Sequence, residues 1–264
     1  MKQSVECSLI VTVKNRLSHF MQTFPFNVTQ TGIDYELIYV NFNSEDNFSD
    51  HLIATINKNK SIFSPRLKII KEIVYSKNTF FNPRESKNLG VKYTSKSSKY
   101  LIFNDVDTML GMSYLKKWTS FIEENVSFAT NRIQETRASH STRIDKLVNY
   151  GNLIVGKKDY LSVGGFDESD VSYGGDDDDL FHRLKLSGLR EINPYTADCA
   201  LQYSILHDDS ERLSEFKIKK RKNTKLAFKK IYENKEIKSN KSNFLNNVKN
   251  LENYISEEIR YELS

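Results

Sequence analysis

Cysteine is nearly absent from this chain of 264 residues: Cys7 and Cys199 stand far apart and in no CxxC spacing, which argues against a disulfide framework or a zinc knuckle. Proline and glycine are scarce as well, at 4 and 10 residues, so nothing before about residue 210 reads as a flexible linker. No apolar run approaches the roughly 20 residues of a membrane span. The first one, Leu9-Ile10-Val11, is also too brief for the apolar region of a signal peptide. The chain therefore reads as a cytoplasmic protein, at most peripheral at the inner face of the cell membrane. No repeat of solenoid period and no Gly-x-x-x-x-Gly-Lys phosphate loop occurs.

Hydrophobic residues make up 38% of the sequence, enough to build a buried core. The net charge of +5 is modest but unevenly placed. Lys217, Lys219, Lys220, Arg221, Lys222, Lys225, Lys229 and Lys230 crowd one segment without an acid, which reads as a solvated helix or as a surface attracted to an anionic membrane. No nucleic-acid reading motif accompanies it, so nucleic acid is not expected as a partner.

Short β-branched or aromatic runs alternate with helical stretches through the first half, the pattern of βαβ units on a mostly parallel sheet. Strands are expected at Ser8 to Val13, Tyr35 to Val40, Leu67 to Val74 and Tyr100 to Phe103, with helices at Leu17 to Phe24, Leu52 to Asn57 and Glu85 to Tyr93. The second half predicts a helix at Tyr114 to Glu124, a strand near Val126 to Thr130, a polar loop through Arg143, and a strand at Leu153 to Val155. A turn at Gly164 to Glu168 and a helix opening on Asp176 to Asp179 and ending at Gly188 follow.

Ligands of open α/β sheets lie beyond the carboxyl ends of the strands. The residues there are polar: Lys14-Asn15-Arg16, Asn41 to Ser44, Phe81 to Arg84, and Asn104-Asp105-Val106-Asp107. A cationic pair after one strand and a carboxylate pair after another suit a metal-bound diphosphate, and Mn2+, with Mg2+ as the alternative, prefers such oxygen or imidazole ligands. Four consecutive aspartates exceed what helix capping needs, and crowding raises the pKa of a carboxylate toward that of a useful base. His207 follows the run Tyr203 to Leu206 and could complete a metal site begun by Asp107; His19, His51, His140 and His182 lack such a setting.

The ordered series Phe81-Asn82, Asn88-Leu89-Gly90, Asp105-Val106-Asp107, Gly165-Phe166, Gly174 to Leu180 with Arg183, and His207 resembles the β-1,4-galactosyltransferase family. It is also similar to bacterial family-2 and chondroitin-polymerase-like polysaccharide transferases. The resemblance implies a GT-A fold, a Rossmann-like, mostly parallel sheet flanked by helices. It also implies a catalytic domain over residues 1–212, with a nucleotide-binding half at 1–110 and an acceptor-binding half at 111–212. A basic helical extension is expected at 213–264.

The same resemblance implies inverting transfer of galactose or N-acetylgalactosamine from a UDP-sugar to a glycan or lipid-linked glycan, with Mn2+. Asp107 and His207 would hold the metal and Asp177 would act as base. Lys14, Arg16, Phe81, Arg84, Asp105 and Asp107 would contact the donor, and Tyr173, Gly175, Asp176 and Asp178 the acceptor. The chain departs from the animal members at Ser204, where they carry a methionine ligand, and at Tyr173, where they carry tryptophan. Many family-2 enzymes are acidic where this chain has Asn41-Phe42-Asn43. A non-catalytic sugar- or nucleotide-binding domain and a metal-dependent nucleotidyltransferase are the competing readings.

Overall fold

The computed structural model describes residues 4–77, 81–125, 127–135, 147–168, 175–192, 202–205, 231–237 and 252–263. Four parallel strands form its centre: β1 (Cys7–Val13), β2 (Tyr35–Phe42), β3 (Leu67–Tyr75) and β4 (Tyr100–Asp105), ordered β3-β2-β1-β4. Alternation along β1 explains why both faces are covered. Leu9, Val11 and Val13 join Phe20, Phe24, Tyr39, Phe48 and Trp118 on one side, while Ile10 joins Val40, Leu89, Phe103, Phe166 and Leu180 on the other.

Helices α1 (Leu17–Val28), α2 (Phe48–Asn59) and α4 (Tyr114–Asn125) cover the first face. The second carries α3 (Pro83–Lys92), α5 (Lys157–Ser162) and α6 (Asp176–Leu186). The chain thus winds outward from β1 to β3 with helices on one face, then crosses back through α3 to β4 on the other. That reversal opens a crevice between the carboxyl ends of β1 and β4, where Thr12 pairs with Asp105.

Gly90 seats α3. A Cβ there would lie 2.5 Å from Ile10 Cγ2 and 3.1 Å from Val40 Cγ2, so only glycine lets this helix approach β1 and β2 so closely. Asn82 caps the same helix, accepting from the backbone N–H groups of Arg84 and Glu85, with Pro83 in the first turn where its missing N–H is tolerated.

The sheet continues through β7 (Leu147–Gly156), antiparallel to β4, then β6 (Ser127–Glu135), β9 (Gln202–Ser204) and β5 (Thr108–Leu110), with β8 (Arg190–Ile192) beside β6. Two expectations need correction. Strand β6 runs to Glu135, through the first part of the expected polar loop, because residues 132–135 pair with β7 and β9. The C-terminal segment, expected to be helical, ends in strand β10 (Ile255–Glu262), antiparallel to β3. Buried charge on β3 accounts for it: Arg260 donates to the fully enclosed Glu72 at 2.8 and 2.5 Å, and Lys71 meets Glu257 at 3.2 Å. Among the described residues no helix is long and apolar enough to cross a membrane.

Candidate functional site

The turn after β4 is built by buried amides. Asn152 donates to Asn104 at 2.7 Å, and Asn104 donates across the turn to the Thr108 carbonyl at 3.1 Å. This leaves Asp105 and Asp107 half-buried at the crevice while Val106 packs inward, its carbonyl accepting from Thr23 at 2.8 Å. The Asp107 carbonyl accepts from the N–H of Ile205 at 2.8 Å, extending the β5–β9 pairing. The chain therefore passes beside Asp107 two residues before His207, which itself lies outside the described residues, as do Tyr173 and Gly174.

Across the crevice stands the tip of α6. Gly175 precedes it in the left-handed region, at φ 79°, a conformation that glycine adopts without strain. Asp176 to Asp179 fill the first turn, where the exposed N–H groups and the helix dipole favour negative charge. Asp179 serves the fold: it pairs with Arg183 at 2.7 Å, and the buried guanidinium also donates to the carbonyls of Val163 and Gly165, both at 2.7 Å. Asp176, Asp177 and Asp178 remain half-buried.

Burial raises the Asp176 carboxyl above its ordinary range and Asp177 adds to the shift, against the opposing charges of Lys87 and Arg84. Burial also raises Asp178, opposed by a hydrogen bond from the Tyr232 hydroxyl at 3.3 Å. Tyr232 is brought there by residues 231–237, which also place the Asn234 carbonyl 2.8 Å from His182 Nε2.

The two sides meet at Lys87 of α3. Its side chain is 5% exposed, its ammonium lies 3.4 Å from Asp177, and it sits 4.8 Å above the Phe166 ring. Burial alone would lower its pKa, but Asp177, Asp105 and Asp176 outweigh that effect and raise it. Phe166 is fixed in turn by Asn88, which accepts from its N–H at 3.0 Å and donates to its carbonyl at 2.9 Å.

The expected donor-side residues divide. Phe81 is half-buried, edge-on to Phe42 at 5.4 Å, beyond the end of β2. Arg16 precedes α1 at the crevice, and Arg84 is buried near enough to Asp176 to oppose its protonation. Lys14 is engaged within the protein, donating to the carbonyls of Asn43 at 2.9 Å and Phe42 at 3.4 Å, so it ties the β1 and β2 loops together. Lys87 and Tyr232 were not expected. The available signal for Lys87 was its i+3 spacing from Arg84 and its place beside Asn88, which put two cations on a helix pressed against the sheet.

This architecture is that of the GT-A glycosyltransferases. Residues 133–208 match the model described as the N-terminal domain of galactosyltransferase. An uncharacterized glycosyltransferase of Rickettsia bellii (strain RML369-C) is 27% identical over 150 residues, covering 57% of this chain and 20% of the relative. Staphylococcus aureus TarS, solved as residues 1–349 with UDP-GlcNAc, superposes with a TM-score of 0.57 at 16% identity, over 77% of this chain and 59% of that one. A mutant of Drosophila β1,4-galactosyltransferase 7, solved with manganese, UDP-Gal and xylobiose, gives 0.56 at 15% identity, over 92% and 84%. The chain thus spans a fifth of the curated relative it matches and about three fifths of the TarS chain.

Proposed function

We propose that this chain is an inverting, metal-dependent glycosyltransferase that moves a hexose or N-acetylhexosamine, galactose or N-acetylgalactosamine favoured, from a UDP-sugar to a glycan hydroxyl. The observation that carries the reading is electrostatic. One buried ammonium, Lys87, interacts with Asp105 of the turn after β4 and with Asp176 and Asp177 of α6, so the two acidic motifs flank one crevice. The relatives named with UDP-GlcNAc, UDP-Gal and manganese support the donor and metal classes.

Asp107 and His207 would hold Mn2+, or Mg2+ in its place. The fit rests on carboxylates at the crevice and on the Ile205–Asp107 backbone bond, which leads the chain toward His207 past the same turn. When bound, such a cation offsets negative charge on the leaving diphosphate. Phe81 would stack on uracil, with Arg16 and Asp105 toward the nucleotide; Lys14 and Arg84 would act on the donor indirectly, by shaping the loops around it.

Asp177 would accept the proton of the acceptor hydroxyl as that oxygen attacks the anomeric carbon from the face opposite UDP. A single displacement of this kind inverts the anomeric centre. Tyr173, Gly175, Asp176 and Asp178 would receive the acceptor, which we assign to the surface-polysaccharide or lipid-linked glycan class. In this reading residues 1–110 bind nucleotide, 111–212 bind acceptor, and the basic stretch 217–230, outside the described residues, makes peripheral contact with an anionic membrane.

A panel of UDP-sugars with Mn2+ or Mg2+, assayed for UDP release, tests the proposal. Chelator-sensitive release that disappears in Asp107→Ala is the expected result. If no UDP-sugar binds with either cation, or if release persists undiminished in Asp107→Ala, the proposal fails in favour of a non-catalytic domain or a different metal site.

A further inference from the structure

We infer that Lys87 is a positioning residue that holds the Asp177 carboxylate toward the crevice from beneath, linking the donor-side turn to the acceptor-side helix. The inference rests on the reading of Asp177 as base. In that step the acceptor O–H bond breaks, its proton passes to an Asp177 carboxylate oxygen, the acceptor oxygen bonds to the anomeric carbon, and the pair of the broken glycosyl–phosphate bond leaves on UDP. Asp177 can do this only if its carboxylate is correctly placed beside Asp176, whose charge repels it.

Lys87 meets this requirement by geometry. Its side chain is almost wholly enclosed, so its charge is screened little by water. Its ammonium lies 3.4 Å from an Asp177 carboxylate oxygen, and that aspartate is itself only 17% exposed. Its ammonium also sits 4.8 Å over the Phe166 ring, itself fixed by Asn88, and the side chain projects from α3, the helix that Gly90 seats against the sheet. A solvated lysine would be a loose counter-ion, whereas this one is held at Asp177 and over the Phe166 ring, within the electrostatic reach of Asp105. No residue of the sequence motifs predicted to bind donor or acceptor takes this position.

The test compares Lys87→Met and Lys87→Arg in the full chain, using the UDP-sugar that gives the fastest UDP release with Mn2+. Readouts are kcat, donor KM, UDP affinity in Mn2+ by calorimetry, and the thermal midpoint. Lys87→Met should lower kcat about 30-fold or more while donor KM and UDP affinity stay within about threefold, and Lys87→Arg should return kcat to within about fivefold of the parent. A kcat within about threefold in Lys87→Met, or a matching loss of UDP affinity, overturns the inference. Should Lys87→Met fail to fold, Lys87→Arg decides: recovery as stated supports the role, and a folded Lys87→Arg as slow as Asp177→Asn contradicts it. If Asp177→Asn itself keeps the parental kcat, the base reading falls and takes this inference with it. If Asp177→Asn is inactive while Lys87→Met is unimpaired, this inference alone fails.

Discussion

On β2 and β3, Glu36 and Glu72 are completely enclosed and met by fixed donors: Ser8, Ser95 and Lys71 for the first, Asn41, Ser49 and Arg260 for the second. Around the crevice, Asp105 and Asp176 to Asp178 are half-open and draw on the one buried ammonium of Lys87, with Arg84 and Tyr232 nearby. The difference separates charge that serves the fold from charge that can serve a ligand. A carboxylate with every lone pair occupied holds strands together. A half-open carboxylate keeps oxygen within reach of a cation or a hydroxyl, and burial raises Asp176 and Asp178 above the usual carboxylate range. The acidic run of α6 divides between the two: Asp179 accepts twice from the buried guanidinium of Arg183, while Asp177 meets Lys87 and Asp178 meets the Tyr232 hydroxyl.

Substitutions on the two sides should therefore fail differently. The largest effect is expected for Asp177→Asn, which should lower kcat about 100- to 1,000-fold with a thermal midpoint close to the parent's, read by UDP release and calorimetric melting. Arg260→Met is its counterpart at the edge. It strands the enclosed Glu72 and should destabilise by about 3 kcal/mol in denaturant unfolding, while the remaining folded fraction turns over normally. Normal stability in that variant would erase the proposed contrast.

Gly90→Ala links the two regions. Overpacking against Ile10, partly offset by better helix propensity, should cost about 1–2 kcal/mol, and the displaced α3 should lower kcat before the protein unfolds. The smallest effect concerns Glu168, whose carboxyl is pushed up to about 7 by burial, with Glu85 and Asp167 adding to the shift and the hydrogen bond from Asn88 opposing it. The folded state then binds this proton more tightly than the unfolded state, so stability falls as pH rises from about 4.5 to about 7. After discounting for partial exposure, Glu168→Gln should remove about 1–2 kcal/mol of that decline, seen by comparing unfolding at pH 5 and pH 8.

Much of the fold was legible in the sequence because strands buried on both faces read as β-branched and aromatic runs. The expected Ser8 to Val13, Tyr35 to Val40 and Tyr100 to Phe103 lie inside β1, β2 and β4. Helix α1 passes its expected end at Phe24 and runs through Pro25 to Val28, since Asn27 and Val28 remain on its buried face. Strand β10 was not legible, because its partners Glu72 and Lys71 lie nearly two hundred residues earlier and no local pattern announces a salt bridge of that span.

The site divides in the same way. Asp105, Asp107 and the acidic helix tip stand out by spacing, and the fold brings the first and last of these to one ammonium. A lysine on a polar helix such as Lys87 reads as a solvent-facing charge until α6 covers it. Lys14 shows the converse: its place after β1 stands out in the sequence, but its two bonds to backbone carbonyls of the neighbouring loop do not.

Calorimetric titration of UDP in the presence of Mn2+, on the parent chain, Asp107→Ala and Asp177→Asn, tests most directly whether the crevice has a donor wall and an acceptor wall. The account predicts UDP affinity within about threefold of the parent in Asp177→Asn and at least about tenfold weaker in Asp107→Ala. Unchanged affinity in Asp107→Ala, or its loss in Asp177→Asn, would contradict it.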